Sequence, residues 1–443
     1  MDNQGDIDSG SVQPAIIPRP EHAISRASIS SSALKVLYRL KEAGFQSFLV
    51  GGGVRDLLLG REPKDFDVGT NATPDEIRRL FRNCRLIGRR FRLAHVRFGR
   101  EIIEVATFRA RHDEQSTDDG SAHSERGRIL RDNVYGGIED DAWRRDFTVN
   151  ALYYDIKDFS VVDYVGGLED LKTGTLRLIG DPEQRYREDP VRMLRAVRFA
   201  AKLGFRIHPD SETAVNELSY LLEDIPSARL FEEVIKLFLG GCAVATFELL
   251  RHYDLFRRLF PLTDEALSHE EQGFPITFVL RALENTDKRL AEGKPVTPAF
   301  LYAALLWEPM RLRRQALLDQ GMTPLEATQL AGNEITAAQV SATSLPKRFS
   351  YPMREIWMLQ SRLERRRGKS PYRMLEHPRF RAAYDFLLLR AECGEASTEL
   401  ADWWTNFQTL NSAERDKMVE AAPARKRRRR RPRKRKPAAK SND

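Results

Sequence analysis

The sequence predicts an α+β protein, in which a small mixed sheet with flanking helices near the N-terminus is followed by an all-α C-terminal region. Up to about residue 180, short apolar runs at strand spacing alternate with runs at helical spacing. From Pro182 onward the strand pattern fades and amphipathic helical runs dominate. The 443 residues are enough for several domains, at least one of which can have a large core.

Five segments follow from the composition. We expect residues 1–30 to form a disordered leader, 31–180 the sheet domain, 181–260 a helical neck, 261–420 a helical body and 421–443 a disordered basic tail. The sequence has no apolar run of about 18 residues and no signal-peptide pattern, so we expect no transmembrane segment. Its three isolated cysteines favour a cytoplasmic protein.

The elements of the sheet domain follow from periodicity, caps and turn residues. Serines at 30–32 can cap the first helix, and Thr73-Pro74-Asp75-Glu76 is typical of a second capped start. The predicted elements, in order, are helix Ala33–Ala43, strand Gln46–Gly51, helix Val54–Leu59, strand Asp65–Val68, a helix from Thr73 to about Arg82, and a hairpin of strands Arg89–Phe98 and Glu101–Phe108.

The later elements are predicted to be helices. They are Tyr186–Phe205, Glu212–Leu222, Ser227–Leu239, Ala243–Leu259, Ile276–Glu284, Pro298–Leu305, Met353–Arg366 and Tyr372–Arg390.

The net charge of +8 is located in the tail. Residues 425–443 hold 12 Lys/Arg and one Asp, which leaves 60 basic and 63 acidic residues elsewhere, a net charge of −3. A run this basic cannot bury itself and attracts polyanions, so we expect RNA contact, with a solubility tail or an acidic membrane surface as the alternatives. The predicted RNA-binding residues are Arg425, Lys426, Arg427, Arg428, Arg429, Arg430, Arg431, Arg433, Lys434, Arg435 and Lys436.

The most informative stretch is VGGGVRDLLLGREPKDFDV, at 50–68. A strand that passes through glycines into a helix presents backbone N–H groups to an anion, so Gly52, Gly53 and Arg55 are candidate phosphate contacts. In a strand, Asp65 and Asp67 would lie on one face, where two carboxylates can share metal ions. Each feature alone is more often an ordinary turn or a solvated strand edge.

Glu104 interrupts an apolar run in a predicted strand, where an unpaired carboxylate is costly. Its ordinary interpretation is a strand-edge residue paired with an arginine.

Two further segments carry charged residues at helical spacing. In RRDFTVNAL, at 144–152, a helix would bring Asp146 and Asn150 to one face beside Arg145. In EDPVRMLR, at 188–195, the three-residue spacing of Asp189, Arg192 and Arg195 would align them on the first turns of a helix. Solvated ion-pair helices are the alternative for both.

Taken together, these segments resemble motifs A, B and D of the nucleotidyltransferase superfamily, in the class II branch that contains CCA-adding enzymes and bacterial poly(A) polymerases. Asp163-Tyr164-Val165-Gly166-Gly167 is similar to motif C of the same branch. The resemblance covers about residues 46–260. It implies that 31–180 is a palm-like catalytic domain, that 181–260 selects the nucleotide and that 261–420 binds RNA.

The resemblance also implies roles for residues. Asp65, Asp67 and Glu104 would hold two Mg²⁺ ions, Arg145 and Asp146 would meet the ribose and triphosphate, and the residues Asp189, Arg192 and Arg195 would read the incoming base. The catalytic set is then Asp65, Asp67, Asp146 and Glu104, with ATP as substrate.

The basic stretch 88–96 and the arginine-rich tail are similar to those of bacterial poly(A) polymerases. The resemblance therefore favours template-independent addition of AMP to RNA 3′ ends, with RNA-associated proteins as possible partners. CCA addition to tRNA is the enzyme alternative, and a catalytically inactive RNA-binding protein is the non-enzyme alternative.

Overall fold

The computed structural model describes residues 13–88, 92–110, 121–123, 129–132, 134–271, 274–275 and 277–422. The chain divides into two compact units. The N-terminal unit comprises Met1–Asp264, Thr286–Pro295 and Ser341–Ser344, and the C-terminal unit comprises Glu265–Asn285, Val296–Val340 and Leu345–Asp443. In the described ranges, no helix is long and apolar enough to cross a membrane.

The strands are β1 (Ala15–Ile17), β2 (Ser47–Val50), β3 (Asp67–Thr70), β4 (Cys84–Ile87), β5 (Leu93–Phe98), β6 (Glu101–Thr107), β7 (Ser121–His123), β8 (Ile129–Asp132), β9 (Leu152–Asp155), β10 (Val161–Asp163), β11 (Thr175–Leu176), β12 (Arg206–Ile207), β13 (Glu270–Glu271) and β14 (Phe274–Pro275). Eight of them form one sheet in the order β1-β10-β9-β2-β3-β6-β5-β4. In this sheet, β3 and β6 are parallel, and every other pair of neighbouring strands is antiparallel. The predicted mixed sheet is confirmed.

The helices are α1 (Ser31–Glu42), α2 (Gly52–Leu58), α3 (Pro74–Leu80), α4 (Ile138–Trp143), α5 (Gly167–Thr173), α6 (Pro182–Glu188), α7 (Val191–Leu203), α8 (Pro209–Leu218), α9 (Ser227–Phe238), α10 (Ala243–His252), α11 (Leu255–Leu259), α12 (Pro261–Leu267), α13 (Phe278–Ala291), α14 (Pro298–Leu305), α15 (Trp307–Asp319), α16 (Pro324–Ala342), α17 (Lys347–Leu363), α18 (Ser370–Leu375), α19 (Phe380–Glu392), α20 (Thr398–Thr409) and α21 (Ser412–Ala421). The predicted succession from a sheet to helices is confirmed.

Helix α1 begins and packs as its sequence predicts. The Ser30 side chain accepts a hydrogen bond from the backbone N–H of Ala33, which caps the helix. Val36 and Leu40 are fully buried and join Leu49 of β2 and Val68 of β3 in one core cluster. Helix α3 has the predicted capping box between Thr73 and Glu76. These helices fix the strands that precede the site.

The expected disorder of residues 1–30 is wrong for the described part of that segment. β1 pairs with β10 at the edge of the sheet, and Ile24 and Ile29 are buried in the core. Nε2 of His22 lies 2.8 Å from the carbonyl oxygen of Phe159. The isoleucines supply the apolar burial that a disordered leader would lack.

The predicted continuous helix Tyr186–Phe205 is also wrong, because the chain breaks between α6 and α7. Asp189 has extended backbone angles (φ −148°, ψ 90°) and ends α6. Pro190 follows it, and a proline disfavours helical geometry in the residue before it. Asp189 therefore lies in a corner between two helices rather than on the face of one.

The C-terminal unit has a core of its own. Trp404 of α20 is fully buried beside Leu363 of α17 and Phe380 of α19. Its indole Nε1 donates to the Leu363 carbonyl oxygen at 2.8 Å. A large aromatic side chain with a satisfied N–H contributes much of the stability of such a core.

Candidate active site

The glycine turn connects β2 to α2. Gly51 has a φ of +72°, which favours glycine. A Cβ on Gly53 would lie 3.4 Å from the Asp65 carbonyl oxygen, so the turn packs closely against the backbone of Asp65. The two halves of the sequence motif therefore meet in the structure.

Asp65 is not part of a strand, contrary to the prediction, because β3 begins at Asp67. Asp65 is exposed just before the strand. Glu104 of β6 is the register partner of Asp67 of β3 on the adjacent parallel strand. Partial burial, together with the Glu104 and Asp65 carboxylates, raises the pKa of Asp67 to about 6, although nearby Arg145 lowers it. Three carboxylates are thus close enough to repel one another.

The Glu104 carboxylate is engaged by a histidine rather than by the predicted arginine. Its Oε1 lies 3.1 Å from Nε2 of His95, its register partner on β5. Within the described ranges, no group of three or more His, Cys, Asp and Glu side chains is arranged to hold a metal ion. In this conformation the carboxylates are neighbours, but they do not converge on one point.

The segment around Asp146 is not the predicted helix. α4 ends at Trp143, and Thr148–Asn150 form a single 3₁₀ turn. The turn still brings the expected pair together, since Asn150 Nδ2 lies 3.3 Å from Asp146 Oδ1. The expected proximity is therefore present on a different backbone.

A second charged residue joins Asp146 from α7. Arg195 donates from Nε to Asp146 Oδ2 at 2.8 Å, and its Nη2 reaches the same oxygen. Burial alone would raise the pKa of Asp146, but the Arg195 charge and hydrogen bonds outweigh it and lower the pKa to about 2. Asp146 is therefore ionised throughout the physiological range.

Arg145 is held in a fixed orientation. It donates to Asp141 Oδ2 from Nη2 at 3.0 Å and to the Tyr153 hydroxyl from Nε at 2.9 Å. The Tyr153 hydroxyl itself donates to Asp141 at 2.8 Å. Sequence reasoning missed Asp141, although it stands four residues before Arg145, at the spacing of a helical ion pair.

Arg55 is buried rather than turned toward solvent as a phosphate contact would be. Arg55 is 2% exposed, and its guanidinium donates to Asp56 Oδ1 and to Asn150 Oδ1. The geometry makes it a link between the glycine helix and the 3₁₀ turn. Gly52 and Gly53 stand at the start of the same helix.

The side chains of Asp189 and Arg192 have different partners and do not form the predicted group, although the Arg192 backbone N–H donates to the Asp189 carbonyl oxygen at 2.9 Å. Asp189 Oδ2 accepts from Arg229 Nη2 at 2.7 Å. Arg192 is largely buried and donates to Glu188 Oε2 at 2.8 Å and to the Arg185 carbonyl oxygen at 2.6 Å. Only Arg195 of the predicted three contacts Asp146 directly.

Sequence reasoning also missed Arg198. Its guanidinium carbon lies 4.5 Å from the centre of the Phe199 ring, on which Arg55 and Arg195 also lie. Burial, then the Arg195 charge, lowers the pKa of Arg198, and its Nε has no hydrogen-bond partner in the described structure. Its position three residues after Arg195, itself three after Arg192, was the available signal.

The predicted tail contacts, from Arg425 to Lys436, lie outside the described residues, as do Arg89 and Arg90 of the basic stretch.

Family models match three parts of the chain. They are described as a poly A polymerase head domain, over residues 47–177, a probable RNA and SrmB-binding site of polymerase A, over 204–267, and a polymerase A arginine-rich C-terminus, over 320–437. The first covers the sheet and the turns described above.

A poly(A) polymerase I of Salmonella typhi is 52% identical over 423 residues, which are 93% of this chain and 90% of that protein. A CCA-adding enzyme of Lactobacillus helveticus is 37% identical over 217 residues, 49% of this chain and 52% of that protein. The crystal structure of a Bacillus stearothermophilus CCA-adding enzyme in complex with CTP has a TM-score of 0.56 at 24% identity, covers 88% of each chain, and so shares the fold. From these similarities, the chain belongs to the bacterial poly(A) polymerase I family.

Proposed function

We propose that this protein is a template-independent poly(A) polymerase, which adds AMP from ATP to RNA 3′ ends and releases pyrophosphate. One observation carries the proposal: 52% identity extends over nine-tenths of the chain to a poly(A) polymerase I. CCA addition is the weaker candidate, because the CCA-adding relative aligns with only about half of the chain. The aspartates, glycines and arginines of all the motifs are present, which disfavours an inactive RNA-binding protein.

Asp65, Asp67 and Glu104 are the residues that would hold two Mg²⁺ ions. Carboxylate oxygens are the ligands that Mg²⁺ prefers, and the charges of Glu104 and Asp65 both act on Asp67, where a divalent cation would offset their repulsion. Glu104 would have to leave His95 to join the other two. Ions bound by these residues would lower the pKa of the RNA 3′-hydroxyl and neutralise charge on the triphosphate.

The remaining site residues act on the nucleotide. In the reaction, the RNA 3′-hydroxyl oxygen bonds to the α-phosphorus of ATP, and the bond to the leaving pyrophosphate breaks. Arg145 and Asp146 would position the ribose and the phosphates, since each is held by hydrogen bonds before ATP arrives. Gly52 and Gly53 would allow close backbone approach of a phosphate.

Base selection is proposed for the corner between α6 and α7. Asp189 can accept hydrogen bonds from the base, with Arg229 and Arg195 nearby. Arg192 supports that corner through Glu188 and the Arg185 backbone, so we assign it a positioning role. Arg55 supports the 3₁₀ turn in the same way.

RNA would be held by the helical segments and by the basic tail, and we propose RNA-associated proteins as further partners in the bacterial cytoplasm, where we place the protein. Its bacterial relatives support that location.

The test is extension of two labelled RNAs, a generic oligomer and a tRNA lacking its terminal CCA, with Mg²⁺ and each nucleotide supplied singly or together. We expect a long ladder from ATP alone on the generic RNA. Growth of the tRNA by three residues that requires CTP as well as ATP would instead establish CCA addition. No extension of either RNA would contradict both functions.

A further inference from the structure

Two adjoining cavities lie in the C-terminal unit, beside α15, α16 and α17. Their volumes are about 640 Å³ and about 430 Å³. Thr328 and Trp357 line both of them. Trp357 is 2% exposed and donates from Nε1 to the Ala303 carbonyl oxygen at 3.0 Å. The wall between the cavities is therefore fixed in place.

The Trp357 ring packs against α16 at Gly332, which has no side chain. A Cβ there would lie 3.5 Å from the Trp357 ring and 3.8 Å from Cγ of Arg354. Arg354 also donates to the side chain of Asn333. The smaller cavity thus has a close-packed floor.

An exposed aromatic ring lines the smaller cavity. Tyr351 is 53% exposed, and the guanidinium carbon of Arg354 lies 5.0 Å from the centre of its ring. An exposed ring beside an arginine is the arrangement on which the bases of single-stranded nucleic acids stack.

The charges of the two cavities favour an anion. Arg314 donates from Nε to Thr328 Oγ1 at 2.8 Å. In the part of the chain that the structure describes, neither Arg314 nor Arg354 has a carboxylate within 4 Å. By contrast, Arg313 on the same helix pairs with Glu334 at 2.6 Å.

Three arginines line the larger cavity against two carboxylates. The carboxylates are Glu364 and Glu395, which both lie near Arg390, and Glu395 also accepts from Trp307 Nε1 at 2.6 Å. Glu355 of the smaller cavity forms an ion pair with an arginine outside that cavity. Arg314 in the larger cavity and Arg354 in the smaller one are therefore the arginines that can meet a phosphate.

We propose that these cavities form a binding site for single-stranded RNA, in which a base stacks on Tyr351 and the neighbouring phosphates meet Arg354 and Arg314. This site rests on the proposed function, because it binds the RNA that the enzyme extends. Its residues are not part of the sequence segment 204–267 that matches a probable RNA-binding site, nor of the basic run 425–436.

The test is fluorescence anisotropy of a labelled oligoadenylate of about 15 nucleotides with the full-length protein, without ATP or Mg²⁺, at several salt concentrations. We expect Tyr351→Ala to weaken binding at least about fivefold with the salt slope unchanged, since stacking is lost. We expect Arg314→Ala to weaken binding and to reduce the slope by about 0.7, the value for one phosphate contact to a single strand.

Two matched variants control for indirect effects. Tyr351→Phe keeps the ring, and Arg313→Ala removes the same charge from the same helix, so both should bind within about twofold of the unsubstituted protein. Wild-type affinity of Tyr351→Ala would overturn the stacking site. An equal fall in salt slope for Arg313→Ala and Arg314→Ala would also overturn it, because the attraction would then be diffuse. Failure of the proposed function would appear separately, as a wild-type protein that binds RNA but makes no ladder from ATP.

Discussion

Arg195 donates from Nε to Asp146 Oδ2 at 2.8 Å, across 49 residues of chain. The contact ties α7 to the 3₁₀ turn that follows α4, so that two separate sequence motifs form one charged pair. Asp146 also accepts from the backbone N–H of Phe147 at 2.8 Å. A carboxylate with this many donors is fixed in place before substrate binds.

This pair makes folding stability depend on pH in acid. The pKa of Asp146 is about 2 in the folded protein, below the roughly 3.9 of an unfolded aspartate. Its contribution is therefore fully present above about pH 4 and is lost as the pH falls toward 2, with a linkage value of about 2–3 kcal/mol. Asp146→Asn should be least stable relative to wild type near neutral pH. The difference in thermal midpoint should narrow from about pH 5 downward.

The comparison is best made by thermal unfolding of both proteins at several pH values, with Asp402→Asn as an exposed-residue control. If the difference in thermal midpoint between Asp146→Asn and wild type stays constant from pH 6 down to about pH 2, the carboxylate does not titrate as this geometry requires.

Asp65→Ala should abolish nucleotide incorporation and leave RNA binding intact. Because metal ions contribute several kcal/mol to such reactions, we expect a loss of at least about 100-fold in kcat. Asp65 is exposed, so its replacement should not lower the thermal midpoint. Glu62→Ala removes the same charge from the same loop and should keep full incorporation. Equal activity of Asp65→Ala and wild type would remove Asp65 from the metal site.

Arg198→Gln should weaken ATP binding without destabilising the fold. The side chain is crowded by Arg195 and Arg55, and in the described structure no carboxylate lies within 4 Å of it, so its charge is available to a triphosphate. One charge-assisted hydrogen bond is worth about 1.5–3 kcal/mol, so KM for ATP should rise roughly 10- to 100-fold. The thermal midpoint should stay the same or rise, since repulsion is relieved.

Arg206→Gln, at the exposed position of strand β12, which follows α7, is the control and should leave KM unchanged. A lowered thermal midpoint for Arg198→Gln with an unchanged KM would instead assign Arg198 a structural role.

Deletion of residues 425–443 should weaken RNA binding and flatten its salt dependence, because each phosphate contact releases counterions. A Gly/Ser segment of the same length in place of the tail separates charge from chain length. If affinity and salt slope are the same for the deletion and the full chain, the tail has a partner other than RNA.

The sequence predicted contacts better than it predicted the backbone that makes them. The family resemblance implied that Glu104 lies beside Asp67, and the register of the two parallel strands β3 and β6 aligns these residues. The hydrogen bond between Glu104 and His95 did not follow, because it depends on the register of β5 against β6.

Local backbone chemistry explains the other differences. A helix and a 3₁₀ turn can both bring residues four apart together, so Asp146 and Asn150 met although the predicted helix was absent. Pro190 disfavours helical geometry at Asp189, whereas the helical spacing of the arginines after it predicted a continuous helix. Pro352, by contrast, does not break a helix. It lies inside α17, where tertiary packing overrides its local preference.

Gly167 gives the last prediction, because it sets how α5 packs on the 3₁₀ turn that positions Asp146. A Cβ at Gly167 would lie 2.2 Å from the Thr148 carbonyl oxygen, a contact that backbone atoms must move to relieve. Overpacking of this kind costs about 1–3 kcal/mol or more, so Gly167→Ala should lower the thermal midpoint by at least about 2 °C. Gly166→Ala is the matched control: its Cβ meets open space, and only its φ of +82° is strained, at about 1 kcal/mol. Gly167→Ala should also lose incorporation activity, measured well below its midpoint, because Thr148 cannot move without shifting the turn. Equal stability of the two variants would show that α5 yields at this contact, and the position of the turn would then depend on its other contacts, among them the hydrogen bond from Arg55 to Asn150.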